Sequence, residues 1–130
     1  MRCKEIAIRD FIDDFVVAFS TFDGHRVAHK FAIPYLAKGP GESSTVFDSR
    51  TPLATYFQSY LDDYRAKGVR ECRYSHLVVN WLGSECAVAS VTWNLADASA
   101  VSVTSWTESY MLSFIDGKAL AFATVDHAGD

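Results

Sequence analysis

Several features that usually identify a class of function are scarce in this chain. The three cysteines, Cys3, Cys72 and Cys86, are an odd number at unrelated spacings, which argues against a disulfide framework or a zinc site. The 12 basic residues are scattered among 16 acidic ones, so no basic stripe is present to bind nucleic acid. No apolar run approaches the roughly 20 residues of a membrane-spanning helix. We therefore predict a cytoplasmic protein with reduced thiols and with no nucleic-acid or membrane partner.

Motifs for cofactors and for common hydrolases are also missing. There is no Gly-x-Ser-x-Gly nucleophile elbow, and Gly39-Pro40-Gly41 lacks the lysine and hydroxyl residue of a phosphate-binding loop. His25 and His29 are four residues apart, but no carboxylate accompanies them at the spacing of a helical zinc motif. The sequence predicts no cofactor and no metal.

What the chain does contain is a large apolar and aromatic content. Hydrophobic residues make up 49% of the 130 residues, aromatic residues make up 14%, and the net charge is −4. A chain of this length can bury a substantial core. We found no linker and no repeat, so we predict a single domain over residues 1–130.

Apolar residues recur at helical spacing in three early segments. The pattern predicts an amphipathic helix over about 8–22, a short helix over about 24–30 with Asp23 as its N-cap, and a third helix over about 52–67. For the third helix, Thr51 is the predicted N-cap and Pro52 suits the first helical position. A short hairpin, with strands at 33–37 and 44–47, is expected before this helix.

After residue 69 the hydrophobic period changes to two. Strands are predicted over about 70–82, 85–96, 101–115 and 118–127, and only short turns separate them. Such short connections indicate an antiparallel meander. The fold class is therefore α+β.

The order of these elements resembles the nuclear-transport-factor-2-like superfamily, which includes ketosteroid isomerases and SnoaL-type polyketide cyclases. The segments that carry the resemblance are Phe31-Ala32-Ile33-Pro34, Thr51-Pro52, Trp106-Thr107-Glu108-Ser109-Tyr110, Asp116-Gly117 and Val125-Asp126-His127. The tryptophan-containing strand and the final Asp-His are also similar to an uncharacterised bacterial group of SnoaL-like proteins. The resemblance implies a cone-shaped, curved antiparallel sheet packed on about three N-terminal helices, enclosing an apolar pocket. It also implies a homodimer formed through the sheet.

The chemistry of the superfamily transfers only in part. At the position of the ketosteroid isomerase base the chain has Ile33, and at the position of the oxyanion-binding tyrosine it has Phe15, so that isomerase reaction is not expected. The acid that cyclases place near their last strand corresponds to Asp126, with His127 beside it. Adjacent strand residues face opposite sides, so only one of the two is expected in the pocket. A site like that of scytalone dehydratase, with two tyrosines and two histidines, stays open.

The most prominent candidate for catalysis is Glu108. It interrupts an otherwise aromatic and apolar strand face that also carries Trp106 and Tyr110, and burial there would raise the pKa of its carboxyl toward neutrality. The alternative is a structural ion pair with an arginine such as Arg73. We expect Tyr110 to donate a hydrogen bond to a ligand oxygen and His76 to be an accessory proton carrier if it faces the pocket.

The candidate site can be stated residue by residue. The catalytic candidates are Glu108, Tyr110, His76 and Asp126, and the candidate ligand-binding residues are Trp93, Trp106, Phe15 and Tyr35. The resulting hypothesis is an isomerase, dehydratase or cyclase that acts on a small hydrophobic carbonyl compound. The alternative is a non-catalytic ligand-binding or dimerisation module that uses the pocket or the hydroxyl-rich opposite face of the third long strand. Whether the protein is an enzyme stays open.

Overall fold

The computed structural model describes residues 2–128 and contains three helices and one six-stranded sheet. In chain order the elements are α1 (Arg2–Ser20), α2 (Gly24–Ala28), β1 (Phe31–Lys38), β2 (Ser44–Phe47), α3 (Arg50–Ala66), β3 (Glu71–Leu82), β4 (Cys86–Ala96), β5 (Ser102–Ile115) and β6 (Lys118–Asp126). The predicted α+β class is confirmed, and the four long strands lie within one or two residues of their predicted bounds.

The sheet has the strand order β2-β1-β6-β5-β4-β3 and is curved but not closed. Every neighbouring pair is antiparallel except β1 and β6, which are parallel. The antiparallel pairing predicted within the hairpin and within the meander is confirmed, and the parallel β1–β6 pair was not predicted. A parallel pair needs a long connection, and here most of the chain separates the two strands, so local turn signals did not indicate it.

Helix α1 covers the concave face of the sheet with its apolar stripe. Ile8, Phe11 and Ile12 are at most 2% exposed, and the ring of Phe11 meets that of Tyr110 on β5 edge-to-face at 5.5 Å. Helix α1 begins at Arg2, six residues before the start at about residue 8 that the aromatic stripe predicted. Its packing closes one side of the space above the sheet.

The start of α3 differs from the prediction. The N-cap is Ser49, which has an extended backbone, and Arg50 is the first helical residue, so the prediction of Thr51 as the cap was wrong. Pro52 is still accommodated because the first four N–H groups of a helix have no partner within the helix. The missing N–H of proline therefore costs no hydrogen bond there.

Two β-bulges shift which side chains point toward the concave face. On β3 the register changes between Ser75 and Val78, and His76 there has a φ of 56°. On β6, Ala121 is opposite Leu112 of β5 and Ala123 is opposite Met111. Phe122 has no partner on β5 and is the extra residue. An extra residue reverses the alternation beyond it, so each bulge changes which of two neighbouring residues faces inward.

The membrane and thiol predictions can be compared with the structure in part. Between residues 2 and 128 no helix has the length and apolar character needed to cross a bilayer. Cys72 and Cys86 are free thiols. The side chain of Cys3 lies outside the described part of the chain.

Helices α2 and α3 approach each other closely at Gly24. The backbone N–H of Gly24 donates to Gln58 Oε1 at 2.7 Å, and Gln58 Nε2 donates to the carbonyl of Phe22 at 3.0 Å. A Cβ added to Gly24 would lie 2.4 Å from the carbonyl oxygen of Ala54. The contact therefore requires a residue without a side chain.

We predict that Gly24→Ala destabilises the protein by about 1–3 kcal/mol, because the new methyl group must displace the α3 backbone. Urea denaturation would measure the loss. His25→Ala, one residue further along and exposed, is the matched control and should change the free energy of unfolding by less than about 0.5 kcal/mol. Equal stability of the Gly24 variant and wild type would contradict the proposed close packing.

Candidate functional site

A cavity of about 340 Å³ lies between the concave face of the sheet and helices α1 and α3. Its walls are predominantly aromatic and include Phe15, Phe19, Phe31, Phe57, Trp93 and Trp106. The volume lies in the range typical of small-molecule sites. Three of the four predicted ligand-binding residues are among these six, and the fourth, Tyr35, also borders the cavity.

Two carboxyl groups meet at one wall of the cavity. Glu108 on β5 is directly opposite Asp126 on β6 in the antiparallel register, and the two carboxyl groups share a hydrogen bond. Trp106 Nε1 donates to Glu108 Oε1 at 2.8 Å. Two of the predicted catalytic residues are thus brought together, held by a tryptophan of the same strand.

The protonation of Glu108 is strongly perturbed. Burial is the largest cause, followed by the charge of Asp126 and the hydrogen bond between the two carboxyls, and together they raise the pKa of Glu108 from 4.5 to about 8. Hydrogen bonds from Trp106 and Thr124 act in the opposite direction. Glu108 therefore retains its proton at neutral pH, so an acid lies directly beside a second carboxyl group.

The β6 bulge decides that Asp126, rather than His127, joins Glu108. Residues 119 and 121 are buried before the bulge. Beyond it Thr124, two residues before Asp126, is buried and its hydroxyl contacts that of Tyr35. Without the extra residue, Glu108 would be opposite Val125. His127 borders the cavity, and its Nε2 lies 2.7 Å from Oγ of Ser109, whose side chain is on the opposite face of β5 from Glu108.

Thr124 is a part of the site that the sequence did not reveal. Its side chain is only 4% exposed, its hydroxyl contacts the hydroxyl of Tyr35, and it also hydrogen-bonds Glu108. These contacts link β1, β6 and β5 in one polar network. A threonine near a strand end has no distinctive sequence signal, because its inward direction depends on the bulge.

Tyr110 and Trp93 form a second polar contact in the wall. Trp93 Nε1 donates to the hydroxyl oxygen of Tyr110 at 2.8 Å, and the ring of Phe15 lies 4.9 Å from that of Trp93. Burial is the main cause that raises the pKa of Tyr110 well above its ordinary value. The hydroxyl therefore keeps its proton and can act as a donor.

Helix α3 contributes three tyrosines that the sequence indicated only as core residues. Tyr56, Tyr60 and Tyr64 follow one another at intervals of four and all line the cavity. Tyr64 stacks on Trp106 with ring centroids 6.1 Å apart, and desolvation raises the pKa of Tyr64 to about 12. The helical stripe predicted their common face, but the packing of that face against a cavity required the tertiary structure.

His76 does not take part in this site. It is the exposed residue of the β3 bulge, lies outside the cavity lining and contacts Ser75 Oγ at 3.0 Å. The alternative of an ion pair between Glu108 and Arg73 is also wrong, because Arg73 pairs with Glu71 at 3.1 Å. Within residues 2–128 no group of three or more histidine, cysteine, aspartate or glutamate residues is arranged to hold a metal.

Comparison with known proteins identifies the family. The family described as NTF2-like protein (DUF6841) matches residues 4–127. The chain belongs to this family. No protein of curated function matches the sequence of this NTF2-like chain.

Solved structures share its fold at low sequence identity. A candidate calcium/calmodulin-dependent protein kinase II association domain from Xanthomonas campestris is 21% identical, with a TM-score of 0.65 over 92% of this chain and 83% of that one. A domain of unknown function with a cystatin-like fold from Nostoc punctiforme is 19% identical, with a TM-score of 0.74 over 94% and 75%. An NTF-2-like protein of unknown function from Shewanella oneidensis is 13% identical, with a TM-score of 0.71 over 95% and 98%. These similarities establish the fold.

The raised pKa of Glu108 predicts how stability depends on pH. A group whose folded-state pKa is raised stabilises the fold below its unfolded pKa and loses this contribution as pH rises toward the folded value. Glu108→Gln removes the titration, so its stability relative to wild type should increase by about 4–5 kcal/mol between pH 4 and pH 9, because a difference of one in pKa corresponds to about 1.4 kcal/mol. Urea denaturation at several pH values would measure this change.

The matched control is Glu85→Gln, which alters an exposed carboxylate in the turn between β3 and β4. Its stability relative to wild type should be constant over the same range. A constant difference for Glu108→Gln as well would show that this carboxyl is not perturbed in the folded protein.

Proposed function

We propose that this NTF2-like chain is a cytoplasmic single-domain protein that binds a small hydrophobic carbonyl compound and catalyses proton transfer on it. The observation that carries the proposal is that the carboxyl groups of Glu108 and Asp126 lie side by side in the wall of an aromatic cavity. Isomerases, dehydratases and cyclases of such substrates all need a base and an acid close together. Among relatives of this fold, the SnoaL-like cyclases are the group with which the proposal agrees best.

The roles of the residues follow from their positions. One carboxylate of the pair removes a proton from the carbon beside the carbonyl, and the C–H electrons move into an enolate. The hydroxyl of Tyr110, oriented by Trp93, donates to the enolate oxygen. The protonated partner then returns a proton to a different carbon or to a leaving oxygen. Trp93, Trp106, Phe15 and Tyr35 hold the apolar body of the substrate and exclude water.

Two features favour catalysis over simple binding. Three ionisable groups, Glu108, Asp126 and Tyr110, border the same cavity, and the carboxyl pair has no arginine that would neutralise it structurally among the ion pairs of the described residues. The pKa of Glu108, about 8, is also close to the pH at which a group can both donate and accept protons.

We predict that the protein accelerates exchange of the α-protons of 2-tetralone with D₂O. This bicyclic ketone is a suitable test compound because it is compact and apolar and its exchange proceeds through an enolate. Glu108→Gln and Asp126→Asn should each reduce the protein-dependent rate by about 10²-fold or more. Proton NMR of the ketone would measure the rates.

Glu85→Gln serves again as the control and should retain the wild-type rate. Exchange no faster than in buffer with wild type would refute carbonyl acid–base catalysis for this class of ketone. Wild-type rates in both carboxyl variants would instead show that the pair is not the catalytic group.

The second candidate function is a non-catalytic module that binds a ligand or forms a homodimer through the outer face of the sheet. Isoleucine and phenylalanine at the two ketosteroid isomerase positions, Ile33 and Phe15, favour it. Paired hydroxyl groups on the outer face also favour it. The hydroxyl oxygens of Ser90 and Ser109 are 2.6 Å apart, and those of Thr92 and Thr107 are 3.0 Å apart. The structural relative from Xanthomonas campestris, described as a candidate association domain, agrees with an assembly role.

If the outer face forms a homodimer, Met111→Lys at its centre should convert the protein to a monomer, because two buried ammonium groups would meet near the two-fold axis. Light scattering after size-exclusion chromatography would measure the mass. Glu85→Lys introduces the same group at an exposed turn and should leave the dimer intact. A monomeric wild type at about 100 μM would exclude this mode of assembly for the isolated chain.

A further inference from the structure

Carboxyl groups outnumber basic groups around the cavity. Glu108 and Asp126 border it, and among the described residues that line it none is lysine or arginine. His127 is the one histidine of the described lining, and its Nε2 lies 2.7 Å from Oγ of Ser109.

Two basic side chains beside the lining residue Phe31 have other partners. Lys30 pairs with Asp14 at 2.9 Å, and Arg50 donates to the carbonyls of Ala28 and Phe31. An anionic ligand would therefore meet two carboxyl groups without a lysine or arginine to offset their repulsion.

The rings beside the carboxyl pair reinforce this electrostatic pattern. Burial is the main cause that raises the pKa of Tyr35, Tyr56 and Tyr64, and the nearby carboxyl groups of Glu108 and Asp126 raise it further. Trp106 stacks on Tyr64 and also donates to Glu108. Faces of aromatic rings are electron-rich and attract cations, most strongly for tryptophan and tyrosine.

From this combination we infer that the cavity binds a hydrophobic organic cation, an amine or ammonium whose positive centre lies at Glu108 and Asp126 and whose apolar body lies against the aromatic wall. A carboxyl pair supplies the counter-charge, and the rings supply cation–π contacts in a site from which water is largely excluded. The inference rests on the proposed function for the location of the ligand but does not require that any reaction occurs.

Binding of a cation is linked to the proton of the carboxyl pair. A positive centre favours the ionised form of Glu108, so Glu108 releases its proton on binding and affinity increases as pH rises from 6 to 9. A neutral ketone that accepts a hydrogen bond from protonated Glu108 has the opposite dependence. The other titratable groups that line the cavity with Glu108 are Tyr35 on β1, Tyr56, Tyr60 and Tyr64 on α3, Cys72 on β3, Tyr110 on β5, Asp126 on β6, and His127 directly after β6.

Three compounds with one skeleton and different charges test the inference. These are 4-phenylbutan-2-amine, 4-phenylbutan-2-one and 3-phenylpropanoate, which place an ammonium, a carbonyl or a carboxylate at the same distance from a phenyl ring. Isothermal titration calorimetry at pH 6, 7.5 and 9 would measure their affinities. We expect the amine to bind about tenfold more tightly than the ketone at pH 7.5, and the carboxylate to bind most weakly.

Three variants test whether the carboxyl pair causes the preference for the amine over the ketone. Asp126→Asn should reduce the amine-to-ketone ratio of affinities about tenfold, while Glu42→Gln, which alters an exposed carboxylate of the β1–β2 loop, should leave it unchanged. Circular dichroism would verify that both variants are folded. Trp106→Phe removes the hydrogen bond to Glu108 but keeps an aromatic face, and should weaken amine binding less than Asp126→Asn does.

The outcomes separate this inference from the proposed function. Preference for the amine, with affinity that rises with pH, supports the cation site. Preference for the ketone, or an amine affinity that falls with pH, overturns it and leaves carbonyl binding intact. Absence of saturable binding by all three compounds overturns the cation site, whereas the proposed carbonyl chemistry is decided separately by the exchange of 2-tetralone.

Discussion

The candidate site depends on one constraint, the position of a single extra residue in β6. The bulge at Phe122 moves the register by one residue, so that Asp126 rather than Val125 is opposite Glu108. The same shift turns Thr124 toward Tyr35 and Glu108. A register change in a sheet exchanges the two faces of a strand. The hydrogen bond between the carboxyls, the raised pKa of Glu108 and the polarity of one cavity wall all follow from it.

The surroundings of the site make the protonation of Glu108 unusual. Aromatic walls lower the local dielectric, so a second carboxyl beside Glu108 raises the pKa of the first rather than being screened by water. The tryptophan and threonine that hydrogen-bond the pair partly offset this effect. Functional sites commonly retain such costs because the perturbed group is the one that performs the chemistry or binds the ligand. The rigid sheet and α3 keep the groups in position.

Much of the fold was predictable because its signals are local. The stripe of α3, the alternation of β3 to β6 and the Asp116-Gly117 turn, in which both residues have positive φ, are each encoded within a few residues. The cap of α3 was misplaced by two residues because Thr51 and Ser49 carry equivalent signals. The parallel pairing of β1 with β6 was missed because it joins segments that are distant in the chain.

The sequence by itself determined the two faces of β5, the aromatic character of its inner face and the presence of an acid within it, because side-chain alternation is a property of the extended backbone. Only the tertiary structure decided which ionisable groups meet. The β3 bulge turned His76 to the exterior, the β6 bulge brought Asp126 to Glu108, and the packing of α3 added Tyr56 and Tyr64 to the cavity. A bulge changes direction by one residue and depends on strand pairing over long range, so local patterns do not encode it.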